Sequence, residues 1–147
     1  MTGEAPPLID TNILVYLFDE NAEYKRNISH QLIAGCFKSE ERYSLSYQNL
    51  AEFSVVVTEK VADPMPSEDI QRFIHSVISF QGWNIVHYTG TTIIHAHEIK
   101  EQHKLHFWDA LLAATMLENH IQTIYTEDAH FRKISGINVM NPYETQL

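Results

Sequence analysis

Short strand-like stretches alternating with longer segments of helical period constrain this chain more than any other feature. Leu8-Ile9, Tyr43 to Tyr47, Asn84 to Tyr88, Gln122 to Tyr125 and Ile137 to Met140 read as strands. After the first, Asp10-Thr11-Asn12 reads as a polar turn into a short helix over Ile13 to Phe18. From Tyr24 to Phe37, the residues Ile28, Leu32, Ile33, Cys36 and Phe37 form one helical stripe. Residues 48 to 61 place Leu50, Phe53, Val57 and Val61 on one face, and a helix is expected there despite the β propensity of Val55-Val56-Val57. Pro64 and Pro66 bracket a break. Ser67 is then expected to cap an amphipathic helix carrying Ile70, Phe73, Ile74, Val77 and Ile78, with Gly82 ending it. Residues 91 to 103 and 107 to 119 read as two more helices around a break near Lys104-Leu105, and Thr126-Glu127-Asp128 as a turn into a short helix.

Parallel neighbours cannot be joined by a tight turn, so strands separated by helices imply a mostly parallel sheet covered on both faces. The expected fold class is α/β: a three-layer α/β/α sandwich with a mostly parallel central sheet. A chain of 147 residues, 44% of them hydrophobic, is long enough to bury such a core. It shows no internal repeat or dividing linker, so residues 1–147 are expected to form a single domain.

Ten Lys and Arg against 19 Asp and Glu give a formal net charge of -9, which argues against gripping nucleic acid through the overall field. Local chemistry can reverse that. The lone cysteine, Cys36, excludes an internal disulfide framework and a Cys-rich zinc site; it is expected in the core of a cytoplasmic protein. Leu8 to Phe18 is interrupted by Asp10, Thr11 and Asn12, and no Lys or Arg precedes Lys25, so neither a signal peptide nor a membrane span is expected.

In an open parallel sheet, ligands bind outside the carboxyl ends of the strands. Asp10 and Asp128 follow strands directly, Glu52 lies in the early turns of the helix after the second strand, and Asp109 lies in the first turn of the segment from Phe107. Each has a structural explanation of its own: an Asx turn at Asp10, an Asn49-x-x-Glu52 capping box, a favourable helix dipole at Asp109 or Asp128. Asp109 fits that explanation least well, because His106 is a poor cap and its surroundings are apolar. Carboxylates gathered in a cleft repel one another and lose hydration unless a cation occupies it, and hard oxygen ligands select Mg²⁺ or Mn²⁺. Metal-assisted phosphodiester hydrolysis is the chemistry such a set supports.

Four ordered fragments carry a resemblance. Leu8-Ile9-Asp10-Thr11-Asn12, Gln48-Asn49-Leu50-Ala51-Glu52-Phe53, Phe107-Trp108-Asp109-Ala110-Leu111 and Tyr125-Thr126-Glu127-Asp128-Ala129-His130-Phe131 together resemble the PIN-domain family across nearly the whole chain. The resemblance implies a metal-dependent endoribonuclease of the VapC-type toxin class, with RNA as substrate, a cognate antitoxin as partner and a homodimeric state. It implies that Asp10, Glu52, Asp109 and Asp128 form the catalytic, metal-holding acid quartet, supported by the polar Asn12 and Thr126 and more weakly by Thr11. His106 departs from the small hydroxyl residue the family often has before its aromatic-Asp segment.

Other constellations are weaker. His95, His97, His103 and His106 cluster in sequence, but His95 and His97 face apart on one helix, which disfavours zinc. Lys25, Arg26, Lys100, Lys104, Arg132 and Lys133 fit either an RNA backbone or solvated helix faces. No phosphate loop or serine-nucleophile motif occurs. A catalytically silent RNA- or protein-binding module of the same fold is the competing function, disfavoured by the intact quartet. A phosphatase-like hydrolase using Asp10 as nucleophile lacks a second Asp at position 12.

Overall fold

The computed structural model describes residues 4–144. Five parallel strands form one sheet: β1 Leu8–Ile9, β2 Tyr43–Ser46, β3 Trp83–Val86, β4 Thr123–Tyr125 and β5 Asn138–Met140, in the spatial order β3-β2-β1-β4-β5. The helices are α1 Thr11–Tyr16, α2 Glu23–Phe37, α3 Tyr47–Glu59, α4 Ser67–Ser79, α5 Gly90–His103 and α6 Phe107–Glu118, with a 3-10 helix over Ala129–Lys133. Chain order reverses direction at the β1/β4 boundary, the switch point where such sheets open a crevice at their carboxyl ends.

Alternation along β1 divides the interior in two. Leu8 packs with Val86, Ile124 and the apolar residues of α5 and α6, while Ile9 packs with Tyr43, Leu45, Trp83 and the inner faces of α1 to α4. The sheet is therefore covered on both sides, as the α/β/α expectation requires.

Local chemistry explains the helix boundaries that the sequence reading placed differently. Asp10 extends and caps α1, its carboxylate accepting from the backbone N–H of Thr11 at 2.8 Å, so the helix begins at Thr11 with no separate polar turn. The capping box of α3 joins Ser46 to Asn49: the Ser46 hydroxyl accepts from the Asn49 N–H at 3.0 Å, and the Asn49 side chain accepts from the Ser46 N–H at 3.3 Å. That replaces the expected pairing of Asn49 with Glu52. Ser67 is the first residue of α4, and the capping position belongs to Pro66, whose ring presets φ near -59°. Ser67 accepts from Gln71 instead. The helix stops at Ser79, ahead of Gly82.

Strand β3 ends at Val86, earlier than Tyr88, because its partner Ser46 is the last residue of β2 before the chain turns into α3. The turn between α5 and α6 is made by Lys104 in the left-handed conformation at φ 55°, and it sets the first turn of α6 beside the crevice.

The register of α3 buries Phe53 and Val57 and exposes Val55, so the valine run serves the helix by packing only part of itself. Phe53→Ala is expected to lower the free energy of unfolding by about 3–5 kcal/mol, and Val55→Ala to change it by less than about 0.5 kcal/mol. Urea denaturation of the two variants against the parent chain measures both.

Candidate functional site

Four segments deliver carboxylates to the crevice. Asp10 stands at the end of β1, Glu52 in the second turn of α3, Asp109 in the first turn of α6 and Asp128 just beyond β4, before the 3-10 helix. The structure brings them together electrostatically: Glu52 and Asp109 both act on Asp10, Asp109 acts on Glu52, and Asp128 acts on Asp109. Asp109, Asp128 and His130 also place one ligand atom each within 4.8 Å of one another.

Asp10 is the most constrained. The Thr126 hydroxyl donates to its Oδ2 at 2.7 Å, and the same Thr126 oxygen accepts from the Asn12 amide at 3.0 Å and from the Asp128 backbone N–H at 3.0 Å. Asn49 donates to Thr11 Oγ1 at 3.1 Å and more loosely to Asp10 Oδ1 at 3.4 Å. Burial still outweighs these donors, pushing the Asp10 carboxyl up from 3.8 to about 6, with the charges of Glu52 and Asp109 adding to the rise. Glu52 and Asp109 are raised too, each first by burial. Glu52 is oriented by the Gln48 amide, which donates to its Oε1 at 2.9 Å and to the Trp108 carbonyl at 2.8 Å, tying α3 to α6.

Compensation from the protein is slight. Among the described residues, the lysine and arginine ion pairs are Lys25 with Glu127 and Arg72 with Asp69, and neither includes one of these four acids. His130 lies 3.0 Å from Asp128, and its backbone N–H also donates to that carboxylate at 2.9 Å. The four carboxylates are hard, anionic oxygen donors, which fit Mg²⁺ or Mn²⁺ rather than a soft metal, with the His130 ring nitrogen at the edge of the set. The buried Asn12 Oδ1, left without a hydrogen-bond partner beside Asp10, is a further hard acceptor suited to the water of a hydrated ion.

Asn12 and Thr126, singled out from sequence, both contact Asp10 directly. His130, Gln48 and Asn49 were not singled out as site residues. Gln48 had a readable signal, since a Gln four residues before an acid on a helix can hydrogen-bond to it. Two of the clustered histidines go elsewhere, His95 meeting Glu118 at 3.2 Å and His97 packing on Phe107, whereas His106 stands at the start of α6 beside Asp109. Lys25 is committed to Glu127 at 2.8 Å and to Tyr16 at 3.2 Å, which removes it from the list of free basic residues.

Comparison with known proteins shows the family and the fold. The PIN domain family profile matches residues 8–137, and the chain belongs to that family. Its fold is similar to a toxin–antitoxin complex from Klebsiella pneumoniae, with TM-score 0.63 and 20% identity over 95% of this chain and 99% of that one. It is also similar to the DNA-bound VapBC complex of Salmonella typhimurium, with TM-score 0.63 and 18% identity over 93% and 98%. A Mycobacterium tuberculosis VapC toxin that cleaves the sarcin–ricin loop aligns with TM-score 0.61 and 17% identity over 85% and 92%. No curated protein sequence matches significantly.

The raised acids fix the sign of a pH dependence. A carboxyl that binds its proton more tightly folded than unfolded costs stability once ionised, so the metal-free protein should become more stable as pH falls from 7 to 5. Asp10 supplies about 1 kcal/mol of that gain, and the raised Glu52 and Asp109 add in the same direction. Asp10→Asn should flatten the dependence and raise stability at pH 7. Chemical denaturation in EDTA across this range measures it, and a destabilised variant would show that Asp10 serves only as the cap of α1.

Proposed function

We propose that this protein is a metal-dependent endoribonuclease that hydrolyses RNA phosphodiester bonds with water, and the toxin of a toxin–antitoxin pair. One observation supports the reading: carboxylates from four distant segments lie at the switch point of a PIN-family sheet near enough to act on one another, and among the described residues none of them is ion-paired with a lysine or arginine. Repulsion and desolvation on this scale are tolerated in a functional site and are not needed to hold a fold together.

In this reading Asp10, Glu52, Asp109 and Asp128 hold Mg²⁺ or Mn²⁺. When bound, such a cation supplies Lewis-acid polarisation of a phosphate oxygen and a lowered pKa for water. The chain's own contribution is orientation. Thr126 and Asn12 fix the rotamer of Asp10, keeping its Oδ2 in a hydrogen-bonded arrangement, and Gln48 holds the Glu52 carboxylate against α6. His130 faces Asp128, with its Nδ1 3.0 Å from the carboxylate.

The partners follow from fold and charge. The relatives of known structure are described as toxin–antitoxin assemblies, and a crowded, uncompensated acid site suits a guanidinium from a cognate antitoxin as an inhibitor. Exposed apolar residues on helices, among them Ile78 and Ile94, suit a homodimer. No helix among the described residues is long and apolar enough to cross a membrane, and a cytoplasmic location is proposed from the lone buried thiol Cys36.

Cleavage of RNA should require Mg²⁺ or Mn²⁺ and disappear in EDTA. Asp10→Asn and Asp109→Asn should each lower turnover by roughly two orders of magnitude or more without unfolding the chain. Divalent ions should also stabilise the parent protein, by roughly 2.7 kcal/mol at a hundredfold excess over the dissociation constant, and less in either variant. Full activity in EDTA, or a thermal transition unmoved by millimolar Mn²⁺, would overturn the assignment.

A further inference from the structure

A cavity of about 590 Å³ opens beside the acid site and shares Glu52 and Gln48 with it. Its other walls include Tyr47, Tyr88, Trp108 and Lys60. Apolar side chains of this size are ordinarily buried, yet Tyr47 is 52% exposed, Tyr88 40% and Trp108 57%. The rings are also held in place. Tyr47 stacks on His87 with ring centroids 6.3 Å apart and planes within 11°, and Trp108 meets Phe107 edge-on at 5.5 Å. Phe107 in turn packs against His97 at 5.1 Å. Aromatic faces around a concave site, with the Lys60 ammonium among its lining groups, suit a flat heteroaromatic ring joined to a phosphate.

We infer that this cavity is a nucleobase-stacking subsite, in which Trp108 with Tyr47 or Tyr88 receives an unpaired base next to the scissile phosphate and Lys60 meets a flanking phosphate. The inference rests on the nuclease reading and deepens it: it assigns named aromatic residues beside the acids to holding a base turned outward from the RNA strand. Position selects this occupant. Trp108 directly precedes Asp109, Gln48 joins the Trp108 carbonyl to Glu52, and Lys60 lines the same cavity as Glu52, so cavity and acids form one continuous surface. A second copy of the chain would be expected to meet a broad face instead of a pocket.

The test uses the full chain carrying Asp10→Asn, in EDTA, with a short single-stranded RNA and a counterpart that keeps the phosphates but has abasic riboses. Trp83 is buried and Trp108 exposed, so tryptophan emission reports on Trp108. The base-bearing RNA should quench it, and the abasic RNA should not. Read by the fluorescence anisotropy of end-labelled RNA, Trp108→Ala should weaken binding of the base-bearing RNA about tenfold or more, with Trp108→Phe restoring the affinity and the Tyr47→Ala, Tyr88→Ala double variant giving an intermediate loss. Lys60→Ala should weaken both RNAs alike and reduce the salt dependence of binding. Equal affinity for the two RNAs, or unchanged affinity in Trp108→Ala, would overturn the subsite. So would a dimer that dissociates on Trp108→Ala in sedimentation equilibrium, which would assign the patch to self-association. Failure of the nuclease reading looks different: Asp10→Asn would cleave RNA at the parent rate, whatever the binding results.

Discussion

The Thr126 hydroxyl joins the carboxyl ends of β1 and β4, donating to Asp10 while accepting from Asn12 and from the Asp128 backbone. Most of the site's geometry depends on this one oxygen. It determines which way the Asp10 carboxylate faces, it holds the start of α1 against the β4 loop, and it sets where Asp128 emerges. Thr126 is fully buried, so its three hydrogen bonds form out of competition with bulk water and resist distortion. A second tie holds the far side of the same loop: Glu127 accepts from Tyr16 at 2.6 Å and pairs with Lys25 at 2.8 Å, anchoring it to α1 and α2.

The acids show that a structural role and a chemical one are compatible at a single residue. Asp10 caps α1 and Asp128 caps the 3-10 helix, as ordinary turn chemistry would have them do. Both also lie in the charged crevice. Glu52 is different, because the capping box of α3 belongs to Ser46 and Asn49 and leaves its carboxylate with no part in the helix start. Asp109 sits below an uncapped His106, where the helix dipole favours its charge, but burial and Asp128 raise its pKa all the same. The two acids with the weakest local purpose are thus the ones that most require a reason from outside their own helices. The stability they forfeit is supplied by two apolar cores that meet at β1 and that include no residue of the quartet.

The alternation of strands and helices was legible because it is periodic, and periodicity survives without tertiary context. Boundaries were less so. The chain ends β3 at Val86 because β2 stops at Ser46, a fact about a neighbouring strand that residues 84 to 88 do not carry. Pro66 and Ser67 both favour a helix start, and only the backbone decides which of them is outside it. Within the site, Asp10 was legible because it follows a strand, and Asn12 and Thr126 were legible only through the family resemblance. His130 was not, although its contact with Asp128 is local, and the tie of Gln48 to the Trp108 carbonyl was not, since it arises across the fold. Asn49 was read as serving its own helix, which is half of what it does; the other half is a hydrogen bond to Thr11.

The centre of the sheet is closed by contacts between distant parts of the chain. Leu8 pairs with Ser44 on one side and with Ile124 on the other, and Asp10 meets Thr126 across 116 residues of sequence. During synthesis, β1 stays unpaired on its β4 edge until the chain has been made as far as Tyr125. Ordering so distant a pair costs loop entropy that only the finished sheet recovers, which makes assembly of the crevice a late event in folding. A nascent or truncated chain holds some of the acids but not their arrangement, so the latency of an unfinished molecule is built into its topology.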